Sequence, residues 1–203
     1  MAYTFLDTLT TPGVIAAQTA QGVRRIWEMD HDRAFDRFGE NEAAFIAARD
    51  SFYLASVSES GWPYVQHRGG PAGFLRVLDD KTLAFADFAG NRQYISLGNI
   101  GADDRVALFL MDYPNRARLK ILAHMQVRDL AADPDLAARL IVPGYKAKVE
   151  RAFVLTLEAF DWNCPQHITP RFTGAEIEPV VTALQTRIAV LEAENETLRA
   201  QLG

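Results

Sequence analysis

Four short segments carry residue types that could do chemistry together: residues 64–70 (Tyr64-Val65-Gln66-His67-Arg68-Gly69-Gly70), 86–93, 116–120 and 162–171. Arg68, Arg92, Arg118 and Lys120 supply positive charge, and Gln66, Asn91, Gln93 and Gln166 supply directed amide groups. None of the segments has the spacing of a metal centre or of a nucleophile with its base. The set suits a phosphorylated planar ligand. A phosphate monoester asks for cations and amide or backbone donors, and a ring asks for donors at its edges and apolar cover on its faces. Arg92 follows Gly90-Asn91 at a predicted helix start, where free N–H groups favour anions. Arg68 precedes glycines that let a ligand approach the backbone. Arg118 and Lys120, two apart on a predicted strand, project from one face.

Each feature also has a plainer reading. Gly90-Asn91-Arg92 alone is a capped helix, Arg68-Gly69-Gly70 a hairpin bulge, and Arg118 with Lys120 a solvated strand face. His67 and His167 suit either structural hydrogen bonding or proton transfer, and His31 and His124 read as incidental. No residue is assigned to catalysis and none to a metal.

The elements that must position these residues can be read from pattern and punctuation. Thr11-Pro12 predicts a helix start, with Val14, Ala17, Val23, Ile26 and Trp27 roughly on one face. After a polar stretch over 30–40, Asn41 is placed as the cap of a short helix containing Ala44, Phe45 and Ala48. Strands are predicted over 51–57 and 62–67, joined by Glu59-Ser60-Gly61, with a loop over 68–73. Further strands over 74–78 and 82–86 flank Asp79-Asp80-Lys81, and Asn91 is placed as the cap of a helix over 92–95. Strands over 106–111 and 119–127, a helix from Asp133-Pro134 to Leu140 and a strand over 152–160 complete the series, before a polar tail over 161–173. So many short strands with closely spaced turns predict a mainly β fold with peripheral helices, a small antiparallel barrel.

The last segment differs in kind. Ile177, Val181, Leu184, Ile188, Leu191, Asn195, Leu198 and Leu202 step by four and three without a break. With leucines 184, 191 and 198 at d, the a positions are Val181, Ile188, Asn195 and Leu202, a pattern that favours a parallel two-stranded coiled coil. In that register Arg187 faces Glu192 of a second chain and Glu194 faces Arg199. The expected organisation is a helical segment over 1–49, a barrel over 50–175 and a parallel dimeric coiled coil over 176–203.

Composition bounds the function. The chain has 203 residues, 49% hydrophobic, and a net charge of -5 without long like-charge runs. That gives no electrostatic footprint for nucleic acid or an anionic membrane. A zipper-type DNA binder needs a basic region before its heptads, whereas residues 173–180 hold no lysine or arginine. Cys164 is the single cysteine, so no intramolecular disulfide or multi-thiolate site forms. Residues 1–11 lack a basic region followed by an apolar run, and no stretch nears the ~20 apolar residues of a membrane span. A cytoplasmic protein is expected.

Three longer strings are more specific. Residues 62–70 (Trp62-Pro63-Tyr64 through Gly70), 84–96 (Ala84-Phe85-Ala86 through Ser96) and 162–171 (Trp162-Asn163-Cys164 through Arg171) resemble a subgroup of flavin-nucleotide-binding proteins in the pyridoxamine 5'-phosphate oxidase-like family. The resemblance spans roughly residues 50–173 and implies an FMN-binding split β-barrel acting as a homodimer, with FMN at the interface. It implies flavin contacts from Gln66, His67 and Arg68, phosphate contacts from Asp87, Asn91, Arg92 and Gln93, and further contacts from Arg118, with Lys120 as a second candidate. Trp162 and Arg171 would reach the flavin from the other subunit, and Gln166 offers a further amide donor.

The sequence also departs from the family's vitamin-oxidising enzymes. Their flavin-strand lysine falls here in Gly69 to Ala72, their second basic residue beside the phosphate arginine is Gln93, and their C-terminal arginine-histidine signature is Pro165-Gln166-His167-Ile168. Flavin binding is therefore expected, and oxidation of pyridoxamine phosphate is not. The implied activity is an FMN-dependent oxidoreductase acting on a small molecule or a reduced nicotinamide donor. The alternative is a non-catalytic redox sensor or carrier holding flavin, haem or a deazaflavin.

Overall fold

The computed structural model describes residues 4–28, 34–162 and 165–202. His31, part of the polar stretch at 30–40, and Asn163 and Cys164 lie outside the described residues. The elements are α1 (Thr4–Leu9), α2 (Pro12–Ala20), α3 (Arg24–Trp27), α4 (Glu40–Ala47), β1 (Ser51–Val57), β2 (Pro63–Gly69), β3 (Arg76–Val77) and β4 (Thr82–Phe88). They continue with α5 (Ile95–Ala102), β5 (Arg105–Asp112), β6 (Ala117–Arg128), α6 (Pro134–Leu140), β7 (Val149–Trp162) and α7 (Gly174–Leu202). Two compact units result, residues 1–112 with 117–165, and residues 113–116 with 166–203. Among the described residues no helix is long and apolar enough to cross a membrane.

Seven strands form one antiparallel sheet in the order β2-β1-β5-β6-β7-β4-β3. Alternation along β1 buries Phe52, Leu54 and Ser56, and along β6 it buries Leu119, Ile121, Ala123 and Met125. Phe52 on β1 lies edge-on to Phe85 on β4 at 5.2 Å and stacks on Phe74 at 5.6 Å. Three strands separate β1 from β4 in the sheet order, so the sheet must curl to bring these rings together. The outcome is a barrel filled by Phe52, Leu54, Phe85, Leu108, Ile121 and Phe153, with its split between the β2 edge and β4. On the other face of β4, Ala84 and Ala86 pack with Leu136 and Leu140 of α6.

Two register shifts in β7 re-aim its side chains. Leu122 pairs with Ala159 and Ala123 with Leu157, which leaves Glu158 as an extra residue. Leu157 faces the core before this bulge and Phe160 after it, while Asp161 turns outward to pair with Lys120. Likewise Asp87 pairs with Arg151 and Phe88 with Val149, so Glu150 bulges out.

Several boundaries differ from the expectations. The first long helix breaks at Gly22 (φ 70°), so Val23 precedes α3 instead of continuing α2, and α2 buries no residue. Phe5 of α1, ahead of the expected start at Thr11-Pro12 but within the expected helical segment, is buried instead. Gly39, not Asn41, caps α4, its N–H donating to Glu42 Oε2 at 2.9 Å. Strand β2 runs through Arg68 and Gly69, because both residues still pair with β1. The expected strand over 74–78 shrinks to Arg76–Val77, since Phe74 and Leu75 are drawn into the core. No helix begins at Arg92: Arg92 (φ 60°) and Tyr94 (φ 53°) are both left-handed, and α5 starts at Ile95. The helix-terminus argument for an anion site at Arg92 therefore does not hold. Polar side chains did not signal that Asp161 and Trp162 continue β7.

Candidate functional site

The barrel split is where chemistry-bearing side chains gather. On β2 the burial alternates, with Gln66 and Arg68 half-buried and Val65 and His67 exposed. Arg68 stands opposite Phe52 and Gln66 opposite Leu54, so both share the core face. Asp87 follows Leu83 and Phe85 on the core face of β4, and Arg151 precedes Phe153 on that of β7. Three ionisable side chains thus converge on one end of the barrel.

Arg68 Nη1 donates to Asp87 Oδ1 at 2.6 Å, an ion pair that crosses the split from β2 to β4. Arg151 Nε lies 3.4 Å from Asp87 Oδ2, and Arg151 Nη2 donates to Glu150 Oε2 at 2.8 Å. Tyr94 Oη donates to Glu150 Oε1 at 3.1 Å, and the Arg151 guanidinium lies 5.1 Å from the Tyr94 ring centroid. The Arg68 guanidinium also lies 5.5 Å from the Phe153 ring and 5.9 Å from the Phe85 ring. Two cations and two carboxylates balance, which is what burial of such charge requires. Burial pushes the Asp87 carboxyl above the usual carboxylate range, against the pull of Arg68 and Arg151. Among the described residues, the Nε atoms of Arg68 and Arg151 find no hydrogen-bond acceptor although they are buried.

Beside this network lies a cleft of about 140 Å³, lined by Gln66, Arg68, Asp87, Asn91, Arg92 and Glu150 among others. Gln66 is oriented by Ser96, whose Oγ–H donates to Gln66 Oε1 at 2.9 Å. Asn91 Oδ1 accepts from Gln93 N at 3.1 Å, and its Nδ2 donates to Gln93 Oε1 at 3.3 Å, closing the loop below Arg92. Left-handed backbone at two bulky residues costs roughly 1–3 kcal/mol each. Here it turns Arg92 and Tyr94 into the cleft wall. Arg92 is exposed and makes no ion pair among the described residues. Gly70 follows β2 behind the lining Phe88: a Cβ there would sit 2.8 Å from Phe74 Cγ and 3.0 Å from Phe88 Cε2.

Five of the sequence-derived residues (Gln66, Arg68, Asp87, Asn91 and Arg92) line this cleft, and Gln93 braces its loop. The others lie elsewhere. His67 points from the opposite face of β2 and meets the Tyr53 ring edge-on at 5.7 Å. Arg118 and Lys120 do share the outward face of β6, where Lys120 pairs with Asp161 and lies 4.7 Å from the Phe5 ring. Arg118 Nε is buried and finds no acceptor among the described residues. Trp162 is held at the far end of β7, its Nε1–H donating to Glu42 Oε1 at 2.8 Å and its ring 4.8 Å from Phe45. Arg171 lies 4.9 Å from the Tyr113 ring, and Gln166 and His167 form a turn in which His167 is left-handed (φ 63°).

Residues 38–160 match the sequence model of the pyridoxamine 5'-phosphate oxidase family. The chain belongs to that family. No functionally curated protein matches the sequence. Among solved structures, an FMN-binding protein from Syntrophomonas wolfei is 16% identical, covering 72% of this chain and 97% of its own, at a TM-score of 0.46. HupZ of Group A Streptococcus is 16% identical over 66% of this chain and 99% of its own, at 0.45. A Clostridium acetobutylicum protein of the pyridoxinephosphate oxidase family is 14% identical over 68% and 94%, at 0.42. In this member of the pyridoxamine 5'-phosphate oxidase family, Tyr94, Ser96, Glu150 and Arg151 were missed from sequence. Glu150 and Arg151 lie before the expected strand start at 152, and only the β4–β7 pairing reveals that Arg151 faces Asp87.

A second, larger cleft of about 620 Å³ lies beneath Thr8 and Leu9 of α1, on the outer face of β1, β5 and β6. Its floor is apolar (Ala55, Val57, Ala107, Leu122), with His124 and the bulged Glu158 at its margin. His124 Nδ1 lies 2.7 Å from Asp104 Oδ1, a structural pairing. None of the sequence-derived site residues lines this cleft. Among the described residues no cluster of three histidine, cysteine or acidic groups could hold a metal.

Proposed function

We propose that this chain is an FMN-dependent oxidoreductase that holds its flavin at the barrel split, across a homodimer interface, in the cytoplasm. The observation that carries the reading is the convergence of Gln66, Arg68, Asn91 and Arg92 on one cleft beside a buried Arg–Asp pair. The donor set fits the cofactor. Arg92, without an ion pair among the described residues, is a cation for a phosphate, Asn91 is an adjacent amide, and Gln66 presents an oriented amide to ribityl or ring oxygens. FMN, when bound, supplies hydride chemistry at its ring.

The chain's own residues bind and orient. Arg92 and Asn91 hold the phosphate, with Gln93 bracing their loop. Arg68, fixed by Asp87, places positive charge beside the ligand, and Arg118 and Lys120 are further candidates on β6. A cleft of about 140 Å³ is below the ~300–1,000 Å³ of sites that enclose a drug-sized ligand. This supports completion by a second protomer, from which Trp162, Gln166 and Arg171 would cover the ring and exclude water. His167 is the candidate for proton transfer, since His67 lies on the face of β2 turned away from the cleft.

The test is the visible absorption of purified protein before and after adding FMN and desalting. A flavin spectrum at about one FMN per chain, weakened about tenfold or more in affinity by Arg92→Ala, is expected. A colourless protein that releases FMN on desalting, or a haem or deazaflavin spectrum, overturns the reading.

A further inference from the structure

Helix α7 runs from Gly174 to Leu202 as one piece, and none of its residues is buried. Its start is well capped: Glu176 N donates to Thr173 Oγ1 at 3.3 Å, and Thr173 N donates back to Glu176 Oε2 at 2.7 Å. Beyond this cap the helix lacks the usual support of its length, because helices draw most of their stability from packing an apolar face. That face is present and uncovered. Leu184 is 59% exposed, Ile188 53% and Leu198 56%, while Leu191 at 40% is hardly better sheltered.

We infer that α7 pairs with α7 of a second copy of this chain, parallel and in register. The heptad fixes the occupant. Val181 and Ile188 at a, with Leu184, Leu191 and Leu198 at d, suit two strands. In the parallel arrangement Arg187 at g meets Glu192 at e of the second helix, and Glu194 meets Arg199. Charge alone does not decide direction, since an antiparallel pair would set Arg187 near Glu194. Asn195 decides it. In a parallel pair its amide faces its own copy, whereas antiparallel packing sets it against Leu184 and strands a polar group in an apolar layer. In the single helix that amide donates to Leu191 O at 3.1 Å, the local bond open to it without a second strand. Pro179 falls at f, facing away from the seam. The inference does not depend on whether the barrel holds flavin.

Direction and register can be read with single thiols in the full-length chain. With Cys164→Ser removing the native thiol, Leu184→Cys and Leu198→Cys are made separately, roughly 21 Å apart along the helix. Glu196→Cys, at an outward b position, is the control. Under mild oxidation by glutathione disulfide, both d-position variants are expected to give covalent dimers at least tenfold faster than the control. Absence of enhanced cross-linking at both d positions overturns the inference. So does a pattern in which 184 and 198 each stay reduced alone while Leu184→Cys combined with Asn195→Cys in one chain cross-links, because those two positions meet in the seam only when the helices run antiparallel. Charge reversal gives an independent check: Arg187→Glu should slow the Leu184→Cys cross-link several-fold, and Arg187→Glu with Glu192→Arg should restore it. No restoration argues against the g–e' pairing and overturns the register. The absorption of bound FMN, followed in the same samples, separates a failure of the coil from a failure of the flavin site.

Discussion

At the split end of the barrel the charges lie inside: Arg68 and Asp87 are both largely buried and hold each other across the gap between β2 and β4. Along α7 the arrangement is reversed, with leucine and isoleucine outside and no buried residue. The first region spends desolvation on a fixed polar geometry and is complete as a network within one chain. The second leaves apolar surface in water and is incomplete until something covers it. The proposed ligand site and the proposed pairing surface thus differ in kind: one is satisfied within the chain, the other is not.

The severest way to break this contrast is to unbalance the barrel end. Arg68→Met leaves Asp87 buried without its nearest cation and should cost about 3–5 kcal/mol in chemical denaturation at pH 7. The pH dependence has a definite sign. The Asp87 carboxyl already titrates above its usual range when folded, so its protonated form favours the native state. That contribution is present below the unfolded carboxyl's range and is lost as pH rises through the folded one. Loss of Arg68 raises the folded value further, so the variant's deficit should shrink when denaturation is repeated near pH 4.5. A deficit that is the same at both pH values contradicts the buried-pair account.

Gly70→Ala tests the same region sterically. Its Cβ would meet Phe74 and Phe88 at 3.0 Å or less, and overpacking of this kind costs about 1–3 kcal/mol, readable as a lowered thermal midpoint. Trp162→Phe keeps a ring against Phe45 but removes the donor to Glu42, and should cost about 1 kcal/mol. The smallest effect belongs to the helix. Arg187→Glu should change the unfolding free energy by a few tenths of a kcal/mol, because Arg187 is exposed to solvent. A loss of several kcal/mol there would erase the distinction between the two regions.

Legibility in the sequence divides along the same line. The heptads of α7 are local and periodic, so the helix could be read almost to its ends. The strands were legible where apolar residues alternate, as in β1 and β6, and blurred where long-range pairing overrules local signals. Arg68 and Gly69 look like loop residues yet pair with Phe52 and Ser51, and Phe74 looks like a strand residue yet plugs the core. The cleft was legible by residue type at Gln66, Arg68, Asn91 and Arg92. Its remaining wall was not, because Tyr94 owes its position to a left-handed turn and Glu150 to a bulge, neither of which a glycine marks. His67, equally prominent in sequence, is carried to the other face by strand alternation.

The pairing of β4 with β7 also has a kinetic meaning. Asp87 and Arg151 are 64 positions apart, whereas β1 with β2 and β5 with β6 are joined by short turns. Hairpins close in about 1–10 μs and helices in about a microsecond, while contacts between distant segments wait on loop closure. The hairpins therefore form early, and docking of β4 on β7 comes late. The wall of the cleft is born in that late step, so any ligand that depends on that wall could bind only once the barrel has closed.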